Sequence, residues 1–160
     1  MSETLTDRFR QAMRRAPGSV YILATAHNGL RGGMTATAVT SLSFEPLSML
    51  ACVHTSASCY GLLQEAGRFS LSLLPPETQD VAIAFSTLAD AEERFQVGDW
   101  TERDGLPVLA SAVATITLST ISTHRAGTHT IFIGDVGSVD LQDAGPALLY
   151  GEGAFGAFQA

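Results

Sequence analysis

Along the chain, apolar residues recur first at helical spacing and then at strand spacing. Leu5, Phe9, Met13 and Ala16 fall on one helical face, Thr4 or Thr6 can cap it, and Pro17-Gly18 ends it, which predicts a first helix. The period then changes to two. Ser19 to Ala26 is rich in β-formers, His27-Asn28-Gly29 is a hairpin signal, and Arg31 to Val39 returns as a second strand. Ser48 to His54 reads as a short apolar strand. Tyr60, Leu62, Leu63 and Ala66 fit a short helix opened by Ser56-Ala57-Ser58 and closed by Gly67, and Phe69, Leu71 and Leu73 alternate as another strand. Pro76 suits the first turn of a helix whose apolar stripe is Val81, Ala82, Ala84, Phe85 and Leu88. A polar stretch runs from Asp90 to Gly105. Ala112 to His124 and Thr128 to Leu141 read as two long strands, and Ala147 to Tyr150 as a last short one. Strands follow strands more often than helices, so the pattern predicts a β-barrel decorated by three short helices, not a doubly wound α/β fold. At 160 residues, without linker or repeat, a single domain over 1–160 is expected.

Composition narrows the chemistry. The formal charge is −7, from 16 acids against 9 bases, and all the bases are Arg. Without lysine there is no Schiff base and no P-loop lysine. An acidic chain with scattered Arg argues against nucleic-acid binding. Only 16% of residues are charged, against about 25% in an average globular protein, which suggests a surface partly covered by another copy. Met1 to Arg15 has no apolar core of a signal peptide, no run is long enough to span a membrane, and Cys52 and Cys59 are expected to stay reduced; a cytoplasmic protein is expected.

Several apparent motifs fail on mechanism. Gly151 to Gly156 spells G-x-G-x-x-G, but only four residues follow it, too few for the helix that must receive a pyrophosphate. His27, His54, His124 and His129 lack the converging third ligand that zinc requires, and no G-x-S-x-G supports a serine nucleophile. The segment from Gly32 to Ser58 differs. Its small, hydroxyl-rich, almost chargeless residues let a flat ligand lie against the backbone, and a helix start at Ser56-Ala57-Ser58 can hold a phosphate without lysine.

At these residues the sequence resembles the short-chain flavin reductases that serve two-component flavin monooxygenases. The likeness is carried by Gly33-Met34-Thr35-Ala36-Thr37-Ala38, Ser41-Leu42-Ser43-Phe44-Glu45-Pro46, Gly67-Arg68-Phe69, Arg94-Phe95 with Trp100, Gly105 to Leu109, and Gly127 to Val136. The resemblance implies a mainly β fold with helices: a split β-barrel, FMN-binding and Greek-key-like, with short decorating helices. It implies an NAD(P)H:flavin oxidoreductase that passes hydride from NADH or NADPH to FMN or FAD and supplies reduced flavin to a partner monooxygenase. A homodimer is implied, each flavin site borrowing residues from the other subunit. Thr35, Ala36, Thr37, Ala38, Val39, Ser41 and Leu42 would wrap the isoalloxazine and ribityl chain. Ser56, Ala57, Ser58 and Cys59 would sit at the flavin phosphate, with Phe85 approaching from the next helix. His129, Tyr150, Gly153 and Phe155 would meet the nicotinamide nucleotide. No acid–base residue is assigned, because the hydride chemistry belongs to the cofactor.

Three positions depart from the family pattern. Thr128 stands where an acid usually precedes the histidine, Asp135 replaces Glu, and Ala154 replaces a base in the closing motif. The alternatives are therefore a flavin-binding split-barrel protein without nicotinamide-dependent activity and, more remotely, a structural dimer without flavin. FMN versus FAD and NADH versus NADPH stay open; Arg31, Arg68 and Arg125 are the candidates for a 2′-phosphate contact.

Overall fold

The computed structural model describes residues 3–143 and 145–159. Helix α1 (Leu5–Arg14) starts where the sequence places a cap: the Thr4 hydroxyl accepts the Asp7 N–H, and the Asp7 carboxylate accepts the Thr4 N–H, each at 3.2 Å. What reads as one strand is two, β1 (Gly18–Ser19) and β2 (Tyr21–His27), because the chain passes at Val20 from one sheet to another. Asn28 and Gly29, both at positive φ, turn β2 into β3 (Leu30–Ala36). Strands β4 (Val39–Phe44) and β5 (Leu47–His54) follow, then α2 (Tyr60–Ala66), which ends at Gly67 with φ 64°. Strand β6 (Arg68–Leu73) and a single 3₁₀ turn at Pro76–Thr78 lead into α3 (Gln79–Thr87).

The polar stretch after α3 leads through α4 (Ala91–Arg94) into a hairpin of β7 (Trp100–Arg103) and β8 (Leu106–Leu109). Asp104 and Gly105 make its turn, both at positive φ. The two long strands are β9 (Ala114–Ala126) and β10 (His129–Leu141). The chain closes on β11 (Leu148–Gly151) and β12 (Ala154–Ala157). Gly151 to Gly156 is thus a β-hairpin, with Glu152 and Gly153 at its tip.

The protein is mainly β, with several antiparallel sheets. A seven-stranded sheet has the order β3-β2-β6-β9-β10-β5-β4, and β1-β11-β12 forms a smaller one. The two edges of the large sheet, β3 and β4, are consecutive in sequence, joined only by Thr37 and Ala38. Seven flat strands would hold their edges about 29 Å apart, whereas three residues reach only about 10 Å. The sheet must therefore curl until its edges approach, and Thr37-Ala38 is the seam. Strand β2 is buried on both faces as a result: Leu23 packs inside the curl with Phe69, Leu71, Leu118 and Phe132, while Ile22 and Ala24 face the layer containing Val81, Ala82 and Phe85 of α3. Hydroxyls on buried strand positions find partners, Thr25 donating to the Arg68 carbonyl at 2.7 Å and Ser70 to the Pro107 carbonyl at 2.6 Å.

Candidate functional site

The seam is where backbone polar groups come to the surface. Thr37 and Ala38 are exposed between two edge strands, and only part of their hydrogen bonding is internal: the Val39 N–H donates to the Thr37 carbonyl and the Cys52 N–H to the Ala38 carbonyl, both at 2.9 Å. Around the seam, Thr35 is occupied structurally, donating to the Ala82 carbonyl of α3 at 2.6 Å. Ala36 is buried, so it offers backbone only. Val39 is half-buried, and Ser41 and Leu42 are exposed at an irregularity in the β4–β5 ladder, between Ser41 and Ser43.

On the far side of β5, Ser56, Ala57 and Ser58 form a turn, not the first residues of α2. Cys59 is the N-cap and the helix begins at Tyr60. Cys59 is 2% exposed, and burial pushes its thiol up, so its side chain is a core group and cannot meet a surface phosphate. Beneath the turn lies a residue to which the sequence reading gave no role. Arg94, 8% exposed, donates from Nη1 to the Gly33 carbonyl at 2.7 Å and to Ser58 Oγ at 2.9 Å, and from Nε to the Leu88 carbonyl at 2.7 Å. Among the described residues no carboxylate pairs with it. A buried guanidinium held only by neutral oxygens keeps an unmatched positive charge directly behind Ser58.

Two grooves meet at the seam. One, of about 790 Å³, runs between α1 and the β11–β12 hairpin and is floored by Thr37 and Ala38. The other, of about 480 Å³, is bounded by Thr35, Thr37, the open face of α3 and Phe155. Tyr150 and Gly153 line both. Tyr150 and Phe155 face each other across the hairpin with ring centroids 5.2 Å apart. The structure therefore brings Thr35, Thr37, Ala38, Tyr150, Gly153 and Phe155 together.

Other expected residues are placed differently. Phe85 is 2% exposed and packs edge-on against Phe95, with centroids 5.1 Å apart; it does not line a groove. On a helix, positions 81, 84, 85 and 88 share one face, and that face is the core. Ala82, Ile83, Ser86 and Thr87 of the same helix are the residues that reach the groove. Phe85 instead explains Gly33, whose added Cβ would stand 2.9 Å from a Phe85 ring carbon and from the Leu23 carbonyl. His129 lines neither groove. It pairs across the ladder with His54, rings 4.9 Å apart, and His54 Nδ1 accepts the Ser56 N–H at 3.1 Å. Within one chain His129 thus sits beside the turn at Ser56. Arg31 is engaged by Glu92 at 2.9 Å and lies 4.3 Å over the Phe95 ring, and Arg68 donates to the Asp104 carbonyl; neither is free for a 2′-phosphate.

Among the described residues no cluster of three or more potential metal ligands occurs, and no helix is long and apolar enough to cross a membrane. Known proteins share this sequence and architecture. The flavin reductase like domain matches residues 13–159. The chain is 36% identical over 151 residues to the reductase component of the FADH(2)-dependent resorcinol hydroxylase of Rhizobium sp. (strain MTP-10005), spanning 92% of this chain and 84% of that one. It is 33% identical over 145 residues to the FMN reductase (NADH) RutF 1 of Methylorubrum extorquens, spanning 90% and 72%. The solved structure of the NADH:FAD oxidoreductase of Streptomyces globisporus C-1027, in complex with NAD and FAD fragments, superposes with a TM-score of 0.91 at 27% identity, over 99% of this chain and 97% of that one. With the motifs, the curled sheet and these relatives in agreement, the chain belongs to the flavin reductase like domain family.

Proposed function

We propose that the protein is an NAD(P)H:flavin oxidoreductase that reduces FMN or FAD with NADH or NADPH and supplies reduced flavin to a partner monooxygenase. The observation that carries the flavin half is Arg94: its unmatched buried cation behind Ser58 suits an anionic phosphate, in a chain with no lysine to serve instead. When bound, the flavin supplies the redox chemistry, taking hydride from the nicotinamide C4.

The chain's own residues bind, orient and exclude water. Ser58 offers its hydroxyl to the phosphate, being already an acceptor from Arg94 and so left to donate outward, whereas the Ser56 hydroxyl is committed to His54 Nδ1 at 2.7 Å. Thr37, Ala38, Ser41 and Leu42 present backbone and small side chains for the ring system, with Ala36 and Val39 behind them. Tyr150 and Phe155 form an aromatic wall where the two grooves meet, suited to a nicotinamide ring lying flat. In this reading residues 1–160 are one flavin-binding domain of split-barrel type, with its open seam at Thr37-Ala38. It works as a homodimer, because His129, which lines neither groove within one chain, reaches a nicotinamide site only if the partner contributes it. Exposed Leu42, Phe44 and Leu47 on the β4–β5 hairpin suit such a contact. The free thiols of Cys52 and Cys59 support a reducing, cytoplasmic setting.

Steady-state oxidation of NADH and NADPH with added FMN or FAD tests the proposal. At least one pairing should be accelerated, and no acceleration with any pairing sinks it. The cation-free tip of the β11–β12 hairpin favours a second reading, a flavin-binding protein without nicotinamide-dependent activity. Tight flavin retention with no bleaching of its visible band by either dinucleotide would select that one.

A further inference from the structure

The groove between α1 and the β11–β12 hairpin has its arginines on one wall only. The hairpin contributes Tyr150, Gly151, Glu152 and Gly153, with no cation. The helix contributes Arg10 and Arg14, one turn apart, with Phe9 and Met13 on the adjoining strip of the same face. Phe9 is 62% exposed, a large apolar ring left uncovered at the groove. Two acids line the same groove. Asp7 accepts from Thr4, which holds its carboxyl below the usual range, and Glu152 lies 4.0 Å from Arg15. Arg10 stands 3.8 Å from Asp7, whereas no carboxylate among the described residues pairs with Arg14.

The spacing of the walls is fixed. The Glu152 N–H donates to the Arg14 carbonyl at 2.7 Å, and Gly151 packs so tightly that an added Cβ would meet Pro17 at 3.0 Å. The cations therefore face a hairpin whose glycines let a ligand approach the backbone, in a groove of about 790 Å³ continuous with Tyr150 and the seam.

We propose that α1 is the outer wall of the nicotinamide nucleotide subsite, with Arg14, assisted by Arg10, binding the dinucleotide's phosphates and Phe9 stacking on its adenine. The ligand's identity rests on the reductase reading above; the arginine chemistry rests on the groove. Guanidinium groups match phosphate oxygens in pairs, and an exposed aromatic face is a platform for a base.

The test is calorimetric binding of ADP-ribose, which carries the pyrophosphate and adenine without the nicotinamide. The parent protein should bind it, Arg14→Gln about tenfold more weakly and Arg14→Lys in between, and Phe9→Ala should also weaken it. The KM for NADH should rise in parallel in Arg14→Gln, with kcat held within about twofold, as loss of uniform binding requires. Equal ADP-ribose affinity in parent and Arg14→Gln overturns the proposal, as does a parent that reduces flavin with NADH yet ignores ADP-ribose. So does an Arg14→Gln chain whose sedimentation, not its ligand binding, has changed, since the face would then be a contact between copies. Arginine-dependent ADP-ribose binding without NADH oxidation would leave the subsite standing and remove the reductase reading instead.

Discussion

The turn at Ser58 and the groove along α1, proposed above for the flavin phosphate and the nicotinamide nucleotide, hold charge in opposite ways. Behind Ser58 the cation is buried, aimed by three internal hydrogen bonds and packed under Gly33, so its position is set before any ligand arrives. Along α1 the cations are exposed, on a helix with no buried residue, tied to the rest of the chain by its last turn. A buried charge in low dielectric interacts strongly and is poorly screened; exposed charges interact weakly and are screened by salt. The contrast suits a protein that must hold a flavin long enough to reduce it while a soluble donor comes and goes.

Removing the buried cation should have the largest effect. Arg94→Gln strips donors from the Gly33 and Leu88 carbonyls, with an expected loss of about 3 kcal/mol in denaturant unfolding and flavin binding weaker by about 50-fold in fluorescence titration. Arg94→Lys, which keeps the charge without the fork, should fall between, separating charge from folding. Gly33→Ala perturbs the packing that carries the same residue: its Cβ would sit 2.9 Å from the Leu23 carbonyl, with an expected cost of about 2 kcal/mol in thermal unfolding. On the open side, Tyr150→Ala removes one ring of the aromatic wall. We expect a rise of about fivefold in the KM for NADH with little change in flavin affinity, read from initial rates. An equal loss in both affinities would erase the distinction between the sides.

The smallest effect concerns pH. Burial raises the Cys59 thiol, so its contribution to stability is complete below the unfolded thiol's pKa and is lost as pH rises through the folded value. Stability measured across the alkaline range should fall less steeply in Cys59→Ala than in the parent. Native protein at neutral pH should be alkylated at Cys52, which is half-buried, before Cys59.

What was legible in the sequence was what is local. Asn28-Gly29, the Thr4 cap, Gly67 and the alternation of Phe69, Leu71 and Leu73 encode turns, ends and a strand within a few residues. The β7–β8 hairpin leaves little trace in the sequence although Asp104-Gly105 is a turn signal, because Thr101, Glu102 and Arg103 are all exposed and show no alternation. Strand β12 is hidden for the same reason. Phe85 shows a conflict between two readings: helical periodicity put it on the buried face, family resemblance put it at the flavin, and the periodicity prevails. Arg94 was out of reach of any local pattern, since its partners Gly33 and Ser58 lie 61 and 36 residues away. The curl of the sheet, likewise, follows from strand order and not from any single strand.

The most direct test of the two-sided account is ionic strength. Flavin dissociation constants and the KM for NADH are measured on the parent protein across a range of salt at fixed pH. The KM should climb steadily with salt while flavin affinity stays nearly level, because Arg94 is buried and Arg10 and Arg14 are not. Flavin binding that weakens as steeply as NADH binding would contradict it.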